Sequence, residues 1–297
     1  MSNALPWLVI GQGAIGSLMA IRLAEQGLPV QLKLRQEAPA KANTALSCGD
    51  TSVRLPTTRS VTQACWIFAA VKAYDVAPLL RELHQSPAFR SSTLVLSYNG
   101  MLNDEATLLR PHDLHWVTTH GAYRELDRVV HAGHGQSWLG TQQAGLAQPQ
   151  ELCEQLAQAL PPLTWDANIA TRRWHKLAVN CLINPFTVVH HCRNGELLQQ
   201  VSAAQWQQVA EEIVALAAVR GIELEAARLI DHARQVASAT AANRSSMLQD
   251  YRLGRTTEIS YLNGFIASAS AEAGLTAPAN AALAQQVLEL SRDRDLR

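Results

Sequence analysis

The sequence predicts an α/β amino-terminal domain over residues 1–168, followed by an all-α carboxy-terminal domain over residues 169–297. In the first half, short apolar β-type runs alternate with helix-favouring stretches, a pattern typical of a mostly parallel sheet with crossover helices. From about residue 150 the sequence becomes alanine-rich and helix-favouring, with breaks at proline, asparagine and glycine. A length of 297 residues is enough for two domains. We expect the boundary between residues 166 and 171.

The predicted sheet is built from five apolar runs, at residues 8–10, 30–34, 66–71, 93–96 and 116–118. Two further runs, at residues 129–131 and 137–139, flank a glycine-containing segment and predict a hairpin that closes this sheet. In the second half, residues 205–219 place apolar side chains at helical spacing. This spacing predicts a one-sided helix that another element must cover.

The composition excludes several classes of protein. With 47% hydrophobic and 17% charged residues, the chain is neither disordered nor fibrous. Lys and Arg number 25 and Asp and Glu also 25, so no net basic field draws in a nucleic acid or an anionic membrane. No apolar run reaches the ~18 residues of a membrane span, and no export signal precedes the first strand. Five scattered cysteines indicate reduced thiols, and we expect a soluble cytoplasmic protein.

A glycine-rich loop carries the cofactor signal. The first strand leads into the pattern G-x-G-x-x-G and then into a helical stretch at residues 17–26, the order of a Rossmann-type dinucleotide-binding domain. The first glycine permits a tight turn, the second lets the backbone approach a pyrophosphate, and the third lets helix and strand pack closely. The loop predicted to bind the cofactor consists of Gly11, Gln12, Gly13, Ala14, Ile15 and Gly16.

Cofactor choice depends on the residue at the end of the second strand, where NAD-binding sites usually carry a carboxylate for the ribose 2′-hydroxyl. This sequence has Arg35 there, with Lys33 nearby, and a cation at this position suits a 2′-phosphate, so NADP is favoured. In the alternative interpretation Arg35 is solvated and Glu37 binds the ribose. Lys72 follows the third predicted strand. There it either helps to bind the phosphate or the nicotinamide side of the cofactor, or simply caps the strand.

A polar stripe marks the segment 172–183 of the second half. Lys176, Asn180 and Asn184 stand at i, i+4 and i+8, which in a continuous helix places all three on one face. Pro185 implies that the helix ends there. The alternative is a solvated face, but asparagine is a poor helix former, so its repetition favours ligand binding.

Two further polar residues stand in turn-like or isolated positions. Asn99 belongs to an Asn-Gly pair after the fourth predicted strand, where its amide can serve a ligand or simply form a turn. Glu258 lies in a polar segment of the second half and could be an exposed helical carboxylate.

These motifs together resemble the ketopantoate reductase (2-dehydropantoate 2-reductase) family along nearly the whole chain. Those of the second half are more specific than the glycine loop. The resemblance rests on the glycine loop and on the segments at residues 98–101, 174–181, 183–185, 194–197, 245–250, 257–259 and 262–264.

The resemblance implies reduction of 2-dehydropantoate to pantoate with NADPH, a step that supplies pantothenate and coenzyme A. It implies that Lys176 is the general acid and that Glu258 holds the substrate hydroxyl. Arg35 and Lys72 match the family's contacts to the 2′-phosphate, and Asn99 serves both cofactor and substrate. The substrate-binding residues that it implies are Asn99, Lys176, Asn180, Asn184, Asn194, Asn243, Ser246 and Glu258.

The chemistry is consistent with these roles. Hydride transfer to a 2-oxo acid creates negative charge on the carbonyl oxygen, and Lys176 is the only lysine in the second half that can neutralise it. Two other functions stay open: an NADP-dependent oxidoreductase that acts on a different 2-oxo or 3-hydroxy acid, and a non-catalytic NADP-binding regulator. The sequence is also compatible with a homodimer.

A metal site is not expected. Within the run 190–192, His190 and Cys192 supply only two ligands on one face of an extended segment, fewer than zinc requires. His131 and His134 are expected at the surface.

Overall fold

The computed structural model describes residues 5–35, 42–125, 128–142 and 145–295. The chain divides into two compact units: unit 1 comprises Met1–Tyr98 and Ala106–Ile169, and unit 2 comprises Asn99–Glu105 and Ala170–Arg297. Seven residues from the middle of the first half therefore belong to the helical unit. The predicted fold class, an α/β region followed by a helical one, is confirmed.

Unit 1 contains a mixed sheet whose centre is parallel. The strands β1 to β11 are Trp7–Ile10, Val30–Lys33, Asn43–Cys48, Thr51–Thr58, Trp66–Ala70, Thr93–Ser97, Leu114–Thr118, Gly121–Glu125, Arg128–Gly133, Ser137–Gly140 and Leu163–Trp165. Their order is β11-β10-β7-β6-β5-β1-β2-β4-β3-β9-β8. The five predicted strands form the contiguous parallel block β7-β6-β5-β1-β2. Because these strands are parallel, their carboxyl ends meet at one edge of the sheet.

The longer helices that accompany this sheet are α1 (Ala14–Glu25), α2 (Ala73–His84) and α4 (Gln150–Ala159). The short α3 (Glu105–Leu108) begins at the last residue of the unit 2 segment. The apolar core of unit 1 includes the fully buried Trp7 and Phe68 of the central strands and Leu18 and Met19 of α1. Trp7 Nε1 donates to Gln155 Oε1 at 2.7 Å, so α4 lies at the amino end of β1.

The predicted hairpin between residues 129–131 and 137–139 is wrong. Both runs are strands, but β9 pairs with β8 and β3, whereas β10 pairs with β7 and β11. β8 ends at Glu125 and β9 begins at Arg128, so the shortest connection available to β9 leads back to β8. The glycine-containing segment instead joins two antiparallel pairs, because β9 belongs to the β8–β9 pair and β10 to the β7–β10 pair.

Unit 2 is helical. Its helices are α5 (Ile169–Val189, whose first residue belongs to unit 1), α6 (Leu197–Gln200), α7 (Ala203–Val219), α8 (Ala226–Ala239), α9 (Ser246–Arg252), α10 (Asn263–Glu272) and α11 (Pro278–Asp295). The one-sided helix predicted at residues 205–219 is confirmed, because α7 buries the apolar stripe of that segment. Those buried side chains are Trp206, Val209, Ala210, Ile213, Leu216 and Ala217.

The predicted end of α5 at Pro185 is also wrong, because the helix continues to Val189. Pro185 lacks an N–H and cannot donate to the carbonyl four residues earlier, that of Cys181. The side chain of Asn263 replaces this donor, with Nδ2 at 3.2 Å from the Cys181 oxygen. A distant asparagine therefore compensates for the proline, and the helix continues.

All five cysteines are buried free thiols. Burial raises the pKa of Cys181 well above its ordinary value. Among the described residues, no helix combines the length and the apolar character that crossing a membrane requires.

Candidate functional site

The glycine loop joins β1 to α1 in unit 1. A Cβ at Gly11, where φ is +95°, would lie 2.0 Å from the carbonyl oxygen of Ala70, and one at Gly16 would lie 2.0 Å from the Gly11 oxygen. At Gly13 a Cβ would meet nothing within 4 Å. The outer two glycines thus allow close packing, whereas the middle one leaves room for a ligand against the backbone. Gly13 is also the N-cap of α1, whose first turn carries no acidic residue.

The loop therefore fits the pyrophosphate of a dinucleotide. Backbone N–H groups at a helix N-terminus favour negative charge, and no carboxylate in the first turn opposes it. On the other side of the loop, Arg124 of β8 donates from Nη1 to the Gln12 carbonyl at 2.7 Å. Sequence reasoning missed Arg124, since nothing in the pattern links it to Gln12, 112 residues away.

Two predicted cofactor residues follow the strands on either side of β1. Arg35 comes two residues after β2, and Lys72 two residues after β5 as the N-cap of α2. Because β2, β1 and β5 are parallel neighbours, both cations lie at the sheet edge that carries the glycine loop. Glu37, the alternative ribose ligand, lies outside the described residues.

Lys33, the cation near Arg35 in the sequence, has a different environment. Its side chain is only 4% exposed, and its Nζ lies 2.8 Å from Glu82 Oε1 of α2. Arg35 is exposed and pairs with Asp75 of α2, with 2.5 Å between Nη2 and Oδ2. Of these two cations, Arg35 is therefore the one presented at the surface.

In unit 2, Asn99 meets Glu258. Asn99 Nδ2 donates to Glu258 Oε2 at 3.2 Å, and the Glu258 residue is 4% exposed. The next residues fix this arrangement, because the Met101 N–H donates to the Tyr261 carbonyl at 2.9 Å. A Cβ at Gly100, where φ is +85°, would lie 2.2 Å from that same carbonyl oxygen. Glycine at position 100 is thus required by a close approach as well as by its backbone conformation.

Lys176 extends from α5 near this pair. Burial lowers the pKa of Lys176 to about 8, and the nearby Glu258 carboxylate opposes the shift by raising it. A lysine whose pKa is close to neutral pH can both hold and release a proton, as a general acid must. The structure thus brings Asn99, Lys176 and Glu258 together.

The rest of the polar stripe lies on the same helix. Because α5 is continuous from Ile169 to Val189, Lys176, Asn180 and Asn184 share one face, with Asn180 partly buried and Asn184 buried. Thr187 Oγ1 lies 2.7 Å from the Asn184 carbonyl oxygen and 2.6 Å from Ser245 Oγ. Hydroxyl contacts therefore tie the end of the stripe to the start of α9.

The remaining predicted residues gather near that start. The Asn194 N–H donates to the Asn243 carbonyl at 3.0 Å, and Asn194 Nδ2 donates to Thr240 Oγ1 at 2.8 Å. Asn243 and Ser246 are exposed, and Ser246 is the first residue of α9. A Cβ at Gly195 would lie 2.5 Å from that of Ala241, so glycine lets these segments approach. Asn243 and Ser246 are accessible to a ligand, whereas Asn194 is buried.

One buried ion pair was not foreseen from the sequence. Arg173 Nη1 lies 2.7 Å from Glu105 Oε2, with side-chain exposures below one tenth. Arg173 is three residues before Lys176 on α5, and Glu105 ends the segment that begins with Asn99. The pair therefore anchors the Asn99 segment to the helix that carries Lys176.

Three histidines of unit 1 form a cluster. His120, His131 and His134 hold ring nitrogens within 4.8 Å of one another, and His131 is partly buried, whereas His134 is exposed as expected. Burial, with the neighbouring imidazoles, lowers the pKa of His120 to about 4. The Gly135 N–H donates to His120 Nδ1 at 3.1 Å, and His131 Nε2 is 3.0 Å from the same nitrogen. The lone pair on Nδ1 is thus already used, and in a neutral ring that accepts at Nδ1 the proton lies on Nε2. Neither nitrogen of His120 then has a free lone pair, and we assign no metal to the cluster.

The parallel sheet, the glycine loop at its carboxyl edge and the arginine after β2 define a dinucleotide-binding protein with a Rossmann-type fold. Two family models match the chain: ketopantoate reductase PanE/ApbA over residues 7–144, and its C-terminal counterpart over residues 168–291. The chain belongs to the ketopantoate reductase family.

Similar proteins of known activity agree with this assignment. A 2-dehydropantoate 2-reductase of Vibrio cholerae is 35% identical over 96% of this chain and 97% of that protein. The enzyme of the same name from Yersinia pestis is 31% identical over 96% of this chain and 95% of that protein. One from Archaeoglobus fulgidus is 31% identical over 93% of this chain and 94% of that protein.

Solved structures show the same fold. A PanE/ApbA family ketopantoate reductase from Ralstonia eutropha superposes with a TM-score of 0.82 at 23% identity, covering 97% of this chain and 99% of that one. A D-mandelate dehydrogenase in complex with NADH has a TM-score of 0.84 at 21% identity over 97% of this chain and 99% of that one. At these identities the likeness concerns the fold alone.

Proposed function

We propose that this chain is an oxidoreductase that reduces 2-dehydropantoate to pantoate with NADPH, the reaction that supplies pantoate for pantothenate and coenzyme A. The observation that carries the proposal is the grouping of Lys176, Glu258 and Asn99 in unit 2, in a chain that is 35% identical to a 2-dehydropantoate 2-reductase along nearly its whole length. An amine of lowered pKa beside a carboxylate suits proton transfer to a carbonyl oxygen.

The two halves have separate tasks in this proposal. Residues 1–168 bind NADP through the loop from Gly11 to Gly16, with Arg35 and Lys72 on the 2′-phosphate and Asn99 on the nicotinamide side. Residues 169–297 bind the substrate and carry the catalytic groups. NADPH, when bound, supplies the hydride.

Lys176 is the proton donor in this mechanism. Negative charge develops on the substrate carbonyl oxygen during reduction, and the protonated amine stabilises it and then transfers its proton to that oxygen. Glu258 accepts a hydrogen bond from the substrate hydroxyl. Asn99 donates a hydrogen bond to the Glu258 carboxylate and holds it in position. The amides of Asn180, Asn184, Asn194 and Asn243 and the hydroxyl of Ser246 bind the substrate without adding negative charge beside Glu258.

The test of this function is oxidation of NADPH against a panel of 2-oxo acids. We expect 2-dehydropantoate to give the highest kcat/KM. Turnover of another 2-oxo acid in its place would contradict the substrate assignment, and NADPH binding without turnover of any acid would indicate a regulator. In the same assay the substitution Arg35→Ala should weaken the binding of NADPH about tenfold to a hundredfold and leave the binding of NADH nearly unchanged.

We also propose a homodimer in the cytoplasm. The support is a structure described as a dimeric ketopantoate reductase from Staphylococcus aureus, which shares the fold at a TM-score of 0.81, together with the five free buried thiols typical of a reducing compartment. Light scattering on the purified protein should give about 65 kDa, twice the chain mass of 32.4 kDa. A mass of one chain at micromolar concentration would contradict the dimer.

A further inference from the structure

The ion pair between Arg35 and Asp75 has a consequence for cofactor choice. Arg35 Nη2 lies 2.5 Å from Asp75 Oδ2, and the exposed fractions of the side chains are 73% and 27%. Asp75 occupies the first turn of α2, where its N–H donates to the Lys72 carbonyl at 2.9 Å. The carboxylate therefore sits on a fixed element, and the arginine beside it is the more exposed partner.

The two side chains have opposite preferences for the adenosine ribose. A cation at the end of the second strand suits the 2′-phosphate of NADP, whereas a carboxylate there accepts a hydrogen bond from the 2′-hydroxyl of NAD. This chain places both groups in contact at the edge that carries the glycine loop. Lys33 does not contribute to the choice between NADP and NAD, because its side chain is buried against Glu82.

The net effect of Asp75 follows from two opposing contributions. An exposed ion pair does little to fix a flexible arginine, so Asp75 gives Arg35 only a small gain in preorganisation. A phosphate monoester carries close to two negative charges at neutral pH, and a nearby carboxylate repels it. Repulsion therefore outweighs preorganisation when the ligand carries a 2′-phosphate.

We infer that Asp75 is a cofactor-specificity residue, which weakens binding of the 2′-phosphorylated dinucleotide and provides an acceptor for an unmodified 2′-hydroxyl. The inference rests on the proposed function in placing the cofactor at this edge of unit 1. As a result the chain has a smaller preference for NADPH over NADH than Arg35 alone would give.

The experiment compares the Kd values of NADPH and NADH, measured by fluorescence titration without substrate. Asp75→Asn keeps the shape of the side chain and removes its charge. We expect this variant to bind NADPH about three- to tenfold more tightly, with NADH unchanged or up to about threefold weaker. Glu154→Gln is the matched control, because it removes an exposed carboxylate from α4 at the amino end of β1 and should change neither Kd.

A second variant separates repulsion from positioning. In an Arg35→Ala background, Asp75→Asn should still lower the Kd of NADPH, since repulsion between Asp75 and the phosphate does not require the arginine. Weaker NADPH binding in Asp75→Asn, with no effect in the Arg35→Ala background, would make Asp75 a positioning residue and overturn the inference. An unchanged ratio of the two Kd values would overturn it as well.

These outcomes are distinguishable from failure of the proposed function. If the unmodified chain binds neither dinucleotide, the proposed function and this inference fail together. If it binds them but does not reduce 2-dehydropantoate, the substrate assignment fails and the inference about Asp75 keeps its own test. A thermal unfolding midpoint within about 1 °C of the unmodified chain would establish that Asp75→Asn is folded.

Discussion

At the scale of the residue, Lys176 shows how burial shifts the pKa of the group that we propose as the proton donor. Desolvation disfavours the ammonium form, while the negative charge of Glu258 favours it, and the outcome is a pKa of about 8. Below that pH the amine holds the proton that it would donate in the proposed mechanism. Above it the fraction of protonated enzyme falls tenfold per pH unit.

We therefore predict that the rate of ketopantoate reduction falls as the pH rises through about 8. Lys176→Ala should lower kcat about 10²- to 10⁴-fold, remove this alkaline limb and leave the Kd of NADPH unchanged. Steady-state kinetics between pH 6 and 10, with a separate NADPH titration, provide the measurement. A folded variant that retains the parent kcat would show that another group is the acid.

The same pKa shift has a consequence for stability. The ordinary lysine pKa of 10.5 in the unfolded chain exceeds the value of about 8 in the folded one. Desolvation of the ammonium group therefore opposes folding in full below pH 8, and this effect disappears above about pH 10.5. Lys176→Met should therefore raise the unfolding temperature at pH 7, and the gain should shrink towards pH 10. Equal gains at both values would mean that packing, and not charge, is responsible.

The role that we propose for Glu258 can be tested with substrate analogues. We predict that Glu258→Ala raises KM for ketopantoate about tenfold to a hundredfold, because a hydrogen bond to a charged group is lost. For a 2-oxo acid without the 4-hydroxyl, KM should change much less. If KM rises equally for both substrates, Glu258 acts on the structure or the general electrostatics of the site.

At the scale of the element, helix α5 depends on a network that begins far from it in sequence. Asn263 is fully buried, and its Nδ2 donates to the Cys181 carbonyl and, at 2.9 Å, to Asn280 Oδ1. Asn280 in turn donates to Glu212 Oε2 at 2.7 Å. This network links α5, α10, α11 and α7 and supplies the donor that Pro185 lacks.

Loss of this network should be costly. Asn263→Ala leaves the Cys181 carbonyl and the Asn280 amide oxygen without a buried partner, and we predict a decrease of about 2–4 kcal/mol in the free energy of unfolding. Asn103→Ala is the control, since its contacts with Ser268 and Glu272 are exposed and should contribute less than about 0.5 kcal/mol. Urea denaturation of both variants gives the comparison, and similar values would refute a special role for Asn263.

The elements also show what a sequence can and cannot predict. The parallel block around β1 was predictable because apolar runs and the glycine loop are local signals. The strands β3 and β4 were not predicted, since many of their residues are exposed and polar and Pro56 interrupts the run. The partner of β9 and the continuation of α5 past Pro185 depend on contacts between residues far apart in the sequence. The spacing of apolar residues within a short segment does not reveal such contacts.

The same distinction holds for the candidate site. The stripe at Lys176, Asn180 and Asn184 follows from helical spacing, so it was visible in the sequence. The contact between Asn99 and Glu258 spans 159 residues, and only the family resemblance linked these two side chains. The Arg173–Glu105 and Arg35–Asp75 pairs have no sequence signature, because charged residues at such separations are common and few of them meet.

At the scale of the whole molecule, the chain passes between the units three times. The segment Asn99–Glu105 leaves unit 1 and joins unit 2, and the chain crosses again after Ile169. Within unit 2 this segment forms hydrogen bonds and an ion pair with residues that follow position 170. A cut at the end of residue 168 would therefore separate Asn99–Glu105 from its partners.

We predict that a fragment of residues 1–168 loses local order around this segment. The Met101 amide, which donates to Tyr261 in the intact chain, should exchange with solvent hydrogen at least about a hundredfold faster in the fragment. Peptides from β1 serve as the internal reference, because their partners β2 and β5 remain. Equal protection of Met101 in both proteins would mean that unit 1 holds the segment by itself.

This crossing also sets an order of events during synthesis on the ribosome. Glu258 follows Asn99 by 159 residues, so at about 5–20 residues per second the partner of Asn99 emerges about 8–32 seconds later. For the first part of that interval, until Arg173 emerges 68 residues after it, Glu105 remains a hydrated carboxylate on a growing chain. Synonymous codons that slow translation beyond residue 170 should lengthen this interval and increase cleavage of nascent chains near residue 105 by proteases.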